Sequence, residues 1–164
     1  MATTRKITPF LWFNDQAEEA ALFYTRIFKR SKIVRVDRYS AESAAASGRP
    51  AGSVMTVLFE LEGQPFTALN GGPAFKINEA ISFVVDCRTQ KEVDRLWSRL
   101  TDGGEEVQCG WLKDRFGVSW QIVPAALDKM LRGPDPVRAG RVWQAMLSMK
   151  KLDIATLKKA YRGA

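Results

Sequence analysis

Residues 80–100 read AISFVVDCRTQKEVDRLWSRL, and the fold is decided in this stretch. Residues 80–86 form a near-continuous apolar run of strand length. Thr89 stands three residues before Glu92, the spacing at which a hydroxyl and a carboxylate satisfy the free amides that open a helix. Val93, Leu96, Trp97 and Leu100 recur on one helical face. Gly103-Gly104 ends the helix. Residues 106–113 and 118–123 are then predicted to pair as a hairpin around Arg115-Phe116-Gly117. The unit is strand, helix, then strands.

Toward the N-terminus the same order recurs. Residues 7–13 (ITPFLWF) predict a strand ended by Asn14-Asp15. Asp15 is placed to cap the next helix, with Glu18 three residues on, and Ala20, Phe23, Tyr24, Ile27 and Phe28 repeat at helical spacing. Strands are predicted over 33–39, 54–61 and 65–69. The last two are joined at Glu62-Gly63-Gln64, where glycine supplies a positive φ. The Ala-, Ser- and Gly-rich segment 41–52 reads as a loose loop or bulged crossing that absorbs the extra length of this first unit. Asn70-Gly71-Gly72-Pro73 breaks the chain between the two units. A unit repeated in this way is usually a pair of half-sites, so 7–70 and 79–124 are read as two modules of one α+β domain over 1–124.

Beyond Pro124 the pattern is helical. A short helix is predicted over 125–131. After Gly133-Pro134-Asp135-Pro136 a second runs to about 150, with Val142, Trp143, Met146 and Leu147 as its apolar face. A third spans roughly 153–161 and buries Ile154, Leu157 and Tyr161, with Asp153 or Thr156 at its start. Residues 125–164 are thus a C-terminal helical extension.

Composition narrows the functions. The net charge is +7, but 1–128 carry 16 basic and 16 acidic side chains, while 129–164 carry nine basic and two acidic. The excess charge lies wholly in the tail. Its lysines come as adjacent pairs (Lys150-Lys151, Lys158-Lys159) that point in different directions, and phosphates are neutralised only by cations sharing a face. A solvated helical surface is favoured over a nucleic-acid interface. No apolar run is long enough to span a membrane, and the start MATTRKITPF has no apolar core of the kind a secretory signal needs. Two cysteines make no disulfide framework and suit a reducing cytoplasm. The chain has no histidine, which removes imidazole both as a base and as a metal ligand.

Three long motifs carry a resemblance. They are Pro9-Phe10-Leu11-Trp12-Phe13-Asn14-Asp15-Gln16-Ala17-Glu18-Glu19-Ala20 followed by Phe23-Tyr24; Leu69-Asn70-Gly71-Gly72-Pro73 followed by Asn78-Glu79-Ala80-Ile81-Ser82-Phe83-Val84-Val85-Asp86-Cys87; and Gln108 through Pro124. Together they resemble the PhnB-like branch of the glyoxalase/bleomycin-resistance (vicinal oxygen chelate) superfamily, whose members are often labelled demethylubiquinone methyltransferase-like. The resemblance implies two βαβββ modules curled as half-barrels around a cup, and a homodimer.

It also implies where ligands would sit. In metal-using members the metal is held from the first and last strands of each module, mostly by His and Glu. Those positions fall on Thr8 and Ala80, and on Thr67 and Gln121. None is a carboxylate or imidazole, the donors that let a site outcompete water for zinc, iron, nickel or manganese. Members of the branch carry a histidine where this chain has Ala74. No metal and no cofactor are expected, with Glu79 the one nearby carboxylate that speaks against this.

Gln121 is the best polar group for the cup, either as an anchor for a ligand carbonyl or hydroxyl or as a structural amide tying strands. Trp12, Leu69, Phe75 and Trp111 would supply apolar walls, unless they are plain core. Cys109 lies in a stretch expected to border the cup, but a reactive thiolate needs a neighbouring cation, helix N-terminus or metal, and an inert thiol is favoured. Asn70-Gly71-Gly72-Pro73 opens no helix, so it does not make a phosphate loop. These residues predict a small-molecule ligand bound in a metal-free cup, with any catalysis open. Two alternatives remain: a methyltransferase acting on a quinone-like aromatic, as the label implies, and a scaffold or nucleic-acid binder using the tail.

Overall fold

The computed structural model of the protein describes residues 6–163, and the chain divides after Ile77 into two compact units. Each unit carries one four-stranded mixed sheet, and the two sheets have the same topology.

In the first unit the elements run β1 (Phe10–Phe13), α1 (Ala17–Ile27), β2 (Lys32–Arg38), α2 (Ala41–Ser47), β3 (Val54–Leu61) and β4 (Gln64–Asn70). The strand order is β1-β4-β3-β2. Strand β1 runs parallel to β4, and the other pairs are antiparallel. The β3–β4 turn places Glu62 and Gly63 both at positive φ (48° and 80°), the conformation whose twist matches that of the strands it joins. Alternation sends Val57, Phe59, Leu61, Phe66 and Ala68 to one face, where they meet Ala20, Tyr24 and Ile27 of α1, all buried. Tyr24, Phe59 and Phe66 stack in series at 6.2 and 5.4 Å between centroids.

Two expectations fail here. Asp15 does not cap α1; it is exposed, and the residue before the helix is Gln16, whose side chain makes no capping bond. The acceptor comes instead from Asn70 at the end of β4, whose Oδ1 takes the Ala17 N–H at 2.7 Å. Its Nδ2 donates to the Val54 carbonyl at 3.1 Å, and Tyr39 Oη donates to its backbone carbonyl at 2.7 Å. One buried amide thus pins the helix start to two strands. Residues 41–52 are not a loose loop either, since seven of them form α2. Ser40 and Ser43 make a reciprocal capping box and Gly48 closes the helix at φ 69°. The alanine run favours helix, but its short side chains bury only Ala44, so no apolar period marks it.

The second unit has β5 (Ser82–Cys87), α3 (Gln90–Leu100), β6 (Glu105–Glu106), β7 (Trp111–Lys113) and β8 (Ser119–Pro124). Its order is β5-β8-β7-β6, with β5 parallel to β8. Helix α3 buries Val93, Leu96, Trp97 and Leu100, as their spacing predicts; complete burial of an aliphatic side chain is worth about 1.5–3 kcal/mol. Thr89 Oγ1 accepts from Glu92 N at 3.2 Å. The Glu92 carboxylate reaches Arg88 N at 2.8 Å, one residue before the cap itself. The single strand predicted over 106–113 is broken. Cys109 and Gly110 take positive φ (60° and 84°), and their amides leave the sheet to donate to the Met149 and Lys150 carbonyls, each at 2.8 Å.

Helices α4 (Ala125–Leu131), α5 (Pro136–Leu147) and α6 (Ile154–Arg162) complete this unit. Leu127, Met130, Val142, Met146, Leu152 and Leu157 form their core, with Val123 of β8 and Cys109 packed against it. Asp135 caps α5 and Asp153 caps α6. Arg141 donates to the Ala160 and Tyr161 carbonyls at 2.8 and 3.0 Å, closing α6 from the other end. Gln90 ties α3 to this segment by donating to the Leu152 carbonyl (3.1 Å) and accepting from Ile154 N (2.8 Å).

Candidate functional site

In the first unit, α1 takes one face of the sheet. The register then decides which residues share the other. Phe10 lies opposite Thr67 and Trp12 opposite Leu69, while Leu58 faces Thr67 and Thr56 faces Leu69. Partners at one register position point to the same side. Phe10, Trp12, Leu58, Thr67 and Leu69 therefore form one half-exposed patch, with Phe10 60% exposed. The charged part of this face, toward β2, is self-paired: Lys32 with Glu60 at 3.6 Å, Arg35 with Asp37 at 2.9 Å. What remains toward β1 is apolar and aromatic, with one hydroxyl, Thr67 Oγ1, that bonds to no described residue.

Beside the patch, Trp12 is fixed by donating from Nε1 to the Gly72 carbonyl at 2.8 Å. Its ring occupies the space a β-carbon on Gly71 would need, so glycine is required there. Phe75 is 66% exposed and meets Trp12 edge to face at 5.0 Å and 80°. Trp12, Thr67, Leu69 and Phe75 are thus brought together within one unit. Thr8 lies just before β1 and is exposed.

In the second unit, Val84 and Trp111 both lie opposite Gln121, and Ser82 and Lys113 lie opposite Ser119. The Val84–Gln121 pair occupies the place that Phe10–Thr67 holds in the first unit. Two residues before Val84 is Ser82, so the counterpart of Thr8 is Ser82, while Ala80 sits in the turn ahead of β5 and is exposed. Gln121 Nε2 donates to Ser82 Oγ at 2.9 Å, which orients the amide and leaves Oε1 without a bond to any described residue. Ser82 was not singled out from sequence; counting back from the parallel partner of Gln121 finds it, once the register is known. Trp111 lies beside Gln121. Cys109 belongs to the turn before β7 and packs with the C-terminal helices.

The donors do not suit a divalent metal. Thr67, Ser82 and Gln121 are neutral, and among the described residues no three of His, Cys, Asp and Glu gather as ligands. Glu79 is engaged by Lys113. The Lys113 hydrogen bond holds the Glu79 carboxyl below its usual range, and the same bond raises the Lys113 ammonium. A cation at Glu79 would have to displace that ammonium.

Residues 5–123 match the family described as 3-demethylubiquinone-9 3-methyltransferase. Among solved structures, the chain is 34% identical to a Bacillus cereus PhnB protein carrying that same methyltransferase description, over 74% of this chain and all of that one, with a TM-score of 0.66. A Pseudomonas aeruginosa protein is 21% identical over 74% of this chain and 98% of its own, at TM-score 0.59. The fosfomycin resistance protein FosX of Listeria monocytogenes is 13% identical over 79% and 98%, at TM-score 0.54, a likeness of fold. No curated protein matches the chain.

Proposed function

The chain belongs to the 3-demethylubiquinone-9 3-methyltransferase family, within the PhnB-like branch of the glyoxalase superfamily, and from that premise we propose that it binds a small, largely apolar organic molecule on its open sheet faces without a metal ion. One observation carries this reading. At equivalent register positions, Thr67 and Gln121 each hold an unfilled hydrogen-bonding oxygen beside apolar side chains, Phe10 and Trp12 in one unit, Val84 and Trp111 in the other. Apolar walls with a few placed polar groups are the chemistry of a ligand site. Thr67 Oγ1 can donate or accept, and Gln121 Oε1 accepts, so a hydroxyl- or carbonyl-bearing ring suits them.

The test is calorimetric titration of EDTA-treated protein with 2-naphthol, an apolar ring with one hydroxyl. Saturable binding is expected. Gln121→Leu or Thr67→Val should weaken it roughly three- to tenfold, the worth of one neutral hydrogen bond. Binding that requires an added divalent ion, or that ignores both substitutions, refutes the proposal.

A second reading follows from the family description, methyl transfer to a demethylated quinone. The aromatic patch of Trp12 and Phe75 suits such a ring. Titration with S-adenosylmethionine decides it: micromolar binding supports methyl transfer, and silence removes it. We further propose a homodimer, since Phe10, Ile81 and Val84 leave apolar surface on and beside the sheet-edge strands β1 and β5; sedimentation equilibrium at a single chain mass would refute it. No helix among the described residues is long and apolar enough to cross a membrane. Two free cysteines support a cytoplasmic setting, which fractionation of cells would test.

A further inference from the structure

Asn70-Gly71 is the one Asn-Gly pair in the chain; the other two asparagines precede Asp15 and Glu79. Asparagine is thermolabile, and most of all before glycine. The nitrogen of the following residue attacks the side-chain Cγ, and glycine, with no β-carbon, leaves that nitrogen unhindered. A different cap, or a bulkier residue after it, would avoid the reaction.

The packing of the first unit forbids both. The side chain at 70 offers an acceptor and a donor at once: Oδ1 takes the Ala17 N–H at 2.7 Å, and Nδ2 donates to the Val54 carbonyl at 3.1 Å. Aspartate has no such donor when ionised. A β-carbon at position 71 would fall inside the Trp12 indole. The packing that imposes this reactive pair also holds it shut. Asn70 is 6% exposed. Gly71 N–H donates to the Phe13 carbonyl at 2.9 Å, and Tyr39 Oη donates to the Asn70 carbonyl at 2.7 Å. Ring closure needs the Gly71 nitrogen stripped of its proton and turned onto Cγ. Both side-chain bonds of Asn70 and the bond from Gly71 to Phe13 have to break first.

We propose that Asn70-Gly71 is a latent deamidation site, closed in the folded chain and reactive only when the end of β4 parts from α1 and β1. The Gly71 nitrogen gives its proton to hydroxide and bonds to Cγ. The Cγ–Nδ2 bond breaks, and the side-chain nitrogen takes a proton from water and leaves as ammonia. Water then opens the cyclic imide, at Cγ to give aspartate or at the main-chain carbonyl to give isoaspartate. Neither product fits the folded unit. Aspartate sets an oxygen against the Val54 carbonyl, where an N–H stood. Isoaspartate adds a backbone carbon two residues before the end of the segment whose Gly72 carbonyl holds the Trp12 indole. A transient opening of the first unit becomes permanent, as in proteins whose unfolded state is chemically trapped, and the aromatic patch around Trp12 is lost with it.

The full chain is incubated at mildly alkaline pH, both native and in guanidinium chloride, and peptide mass mapping follows amide loss at Asn14, Asn70 and Asn78. In denaturant, Asn70 should react well ahead of the other two. Gly71→Ala, compared in denaturant where its folding is irrelevant, should slow Asn70 at least about tenfold by crowding the attacking nitrogen. In the native chain Asn70 should react at least about thirtyfold more slowly than in denaturant, because the reaction must pass through a rarely populated local opening. A smaller native slowing overturns the proposal, as does an Asn70 that is no faster than Asn14 and Asn78 in denaturant or unmoved by Gly71→Ala. A half-reacted sample is then refolded by dilution and treated with protease. The resistant fraction should carry Asn70 unmodified; a resistant fraction holding aspartate and isoaspartate in their starting proportion overturns the trapping.

Discussion

Asn70→Ala is the sharpest perturbation of the first unit. The side chain spends its oxygen on the Ala17 amide at 2.7 Å and its amide on the Val54 carbonyl at 3.1 Å. Ala17 is 0% exposed, so water does not readily replace the lost acceptor. Removing a helix cap costs about 1 kcal/mol, and leaving the half-buried Val54 carbonyl without its donor costs about 1–3 kcal/mol. The expected loss is about 2–4 kcal/mol, which for a chain of this size lowers Tm by roughly 5–15 °C. Asn70→Asp should not rescue it, because its second oxygen would oppose the Val54 carbonyl. Urea unfolding followed by far-UV circular dichroism gives the free energy, and hydrogen exchange at the Ala17 amide gives the local effect. A loss below about 0.5 kcal/mol, with the Ala17 amide still protected, would refute the claim that this amide holds α1 onto its sheet.

Other outcomes follow in the second unit. Arg141→Ala should cost about 1–2 kcal/mol, because two carbonyls at the end of α6 lose a charged donor, and amides of α6 should exchange faster than those of α3. Burial, reinforced by the Glu92 and Asp86 charges, pushes the Cys87 thiol up to about 12. The folded state therefore keeps a proton that the unfolded chain releases near the ordinary thiol value, so this contribution to stability is full below about pH 9 and is lost as pH rises toward 12. At pH 8, no more than one of the two thiols should react with Ellman's reagent before denaturant is added, and stability measured across pH 9–11 should decline less in Cys87→Ala than in the parent. A rapid reaction of both thiols in native protein would contradict the buried position of Cys87.

The parts legible in the sequence were those where a period and a cap agree. Val93, Leu96, Trp97 and Leu100 behind Thr89 announce α3, and Glu62-Gly63 between alternating apolar residues announces the β3–β4 hairpin. The repeated topology follows from finding both twice. What stayed hidden depends on partners far along the chain. Asn70 caps a helix 53 residues away, which no local motif signals. Helix α2 buries one alanine and so shows no face. The Cys109–Gly110 turn is drawn from its sheet by carbonyls near residue 150. The site was half legible. Trp12, Thr67 and Leu69, and separately Trp111 and Gln121, lie on the side of each sheet that its first helix leaves free, whereas Phe75 stands in the loop after β4, where no alternation applies. Ser82 was missed because the parallel register, not the strand's apolar start, sets its place.

The proposed recognition rests on neutral side chains standing where metal ligands would otherwise be. The most direct measurement follows the Gln121 side-chain amide resonance as 2-naphthol is titrated into protein stripped with EDTA. A saturable shift, lost in Gln121→Leu and unchanged by added manganese or zinc, is the expected result. An amide that stays still until a divalent ion is supplied would contradict it.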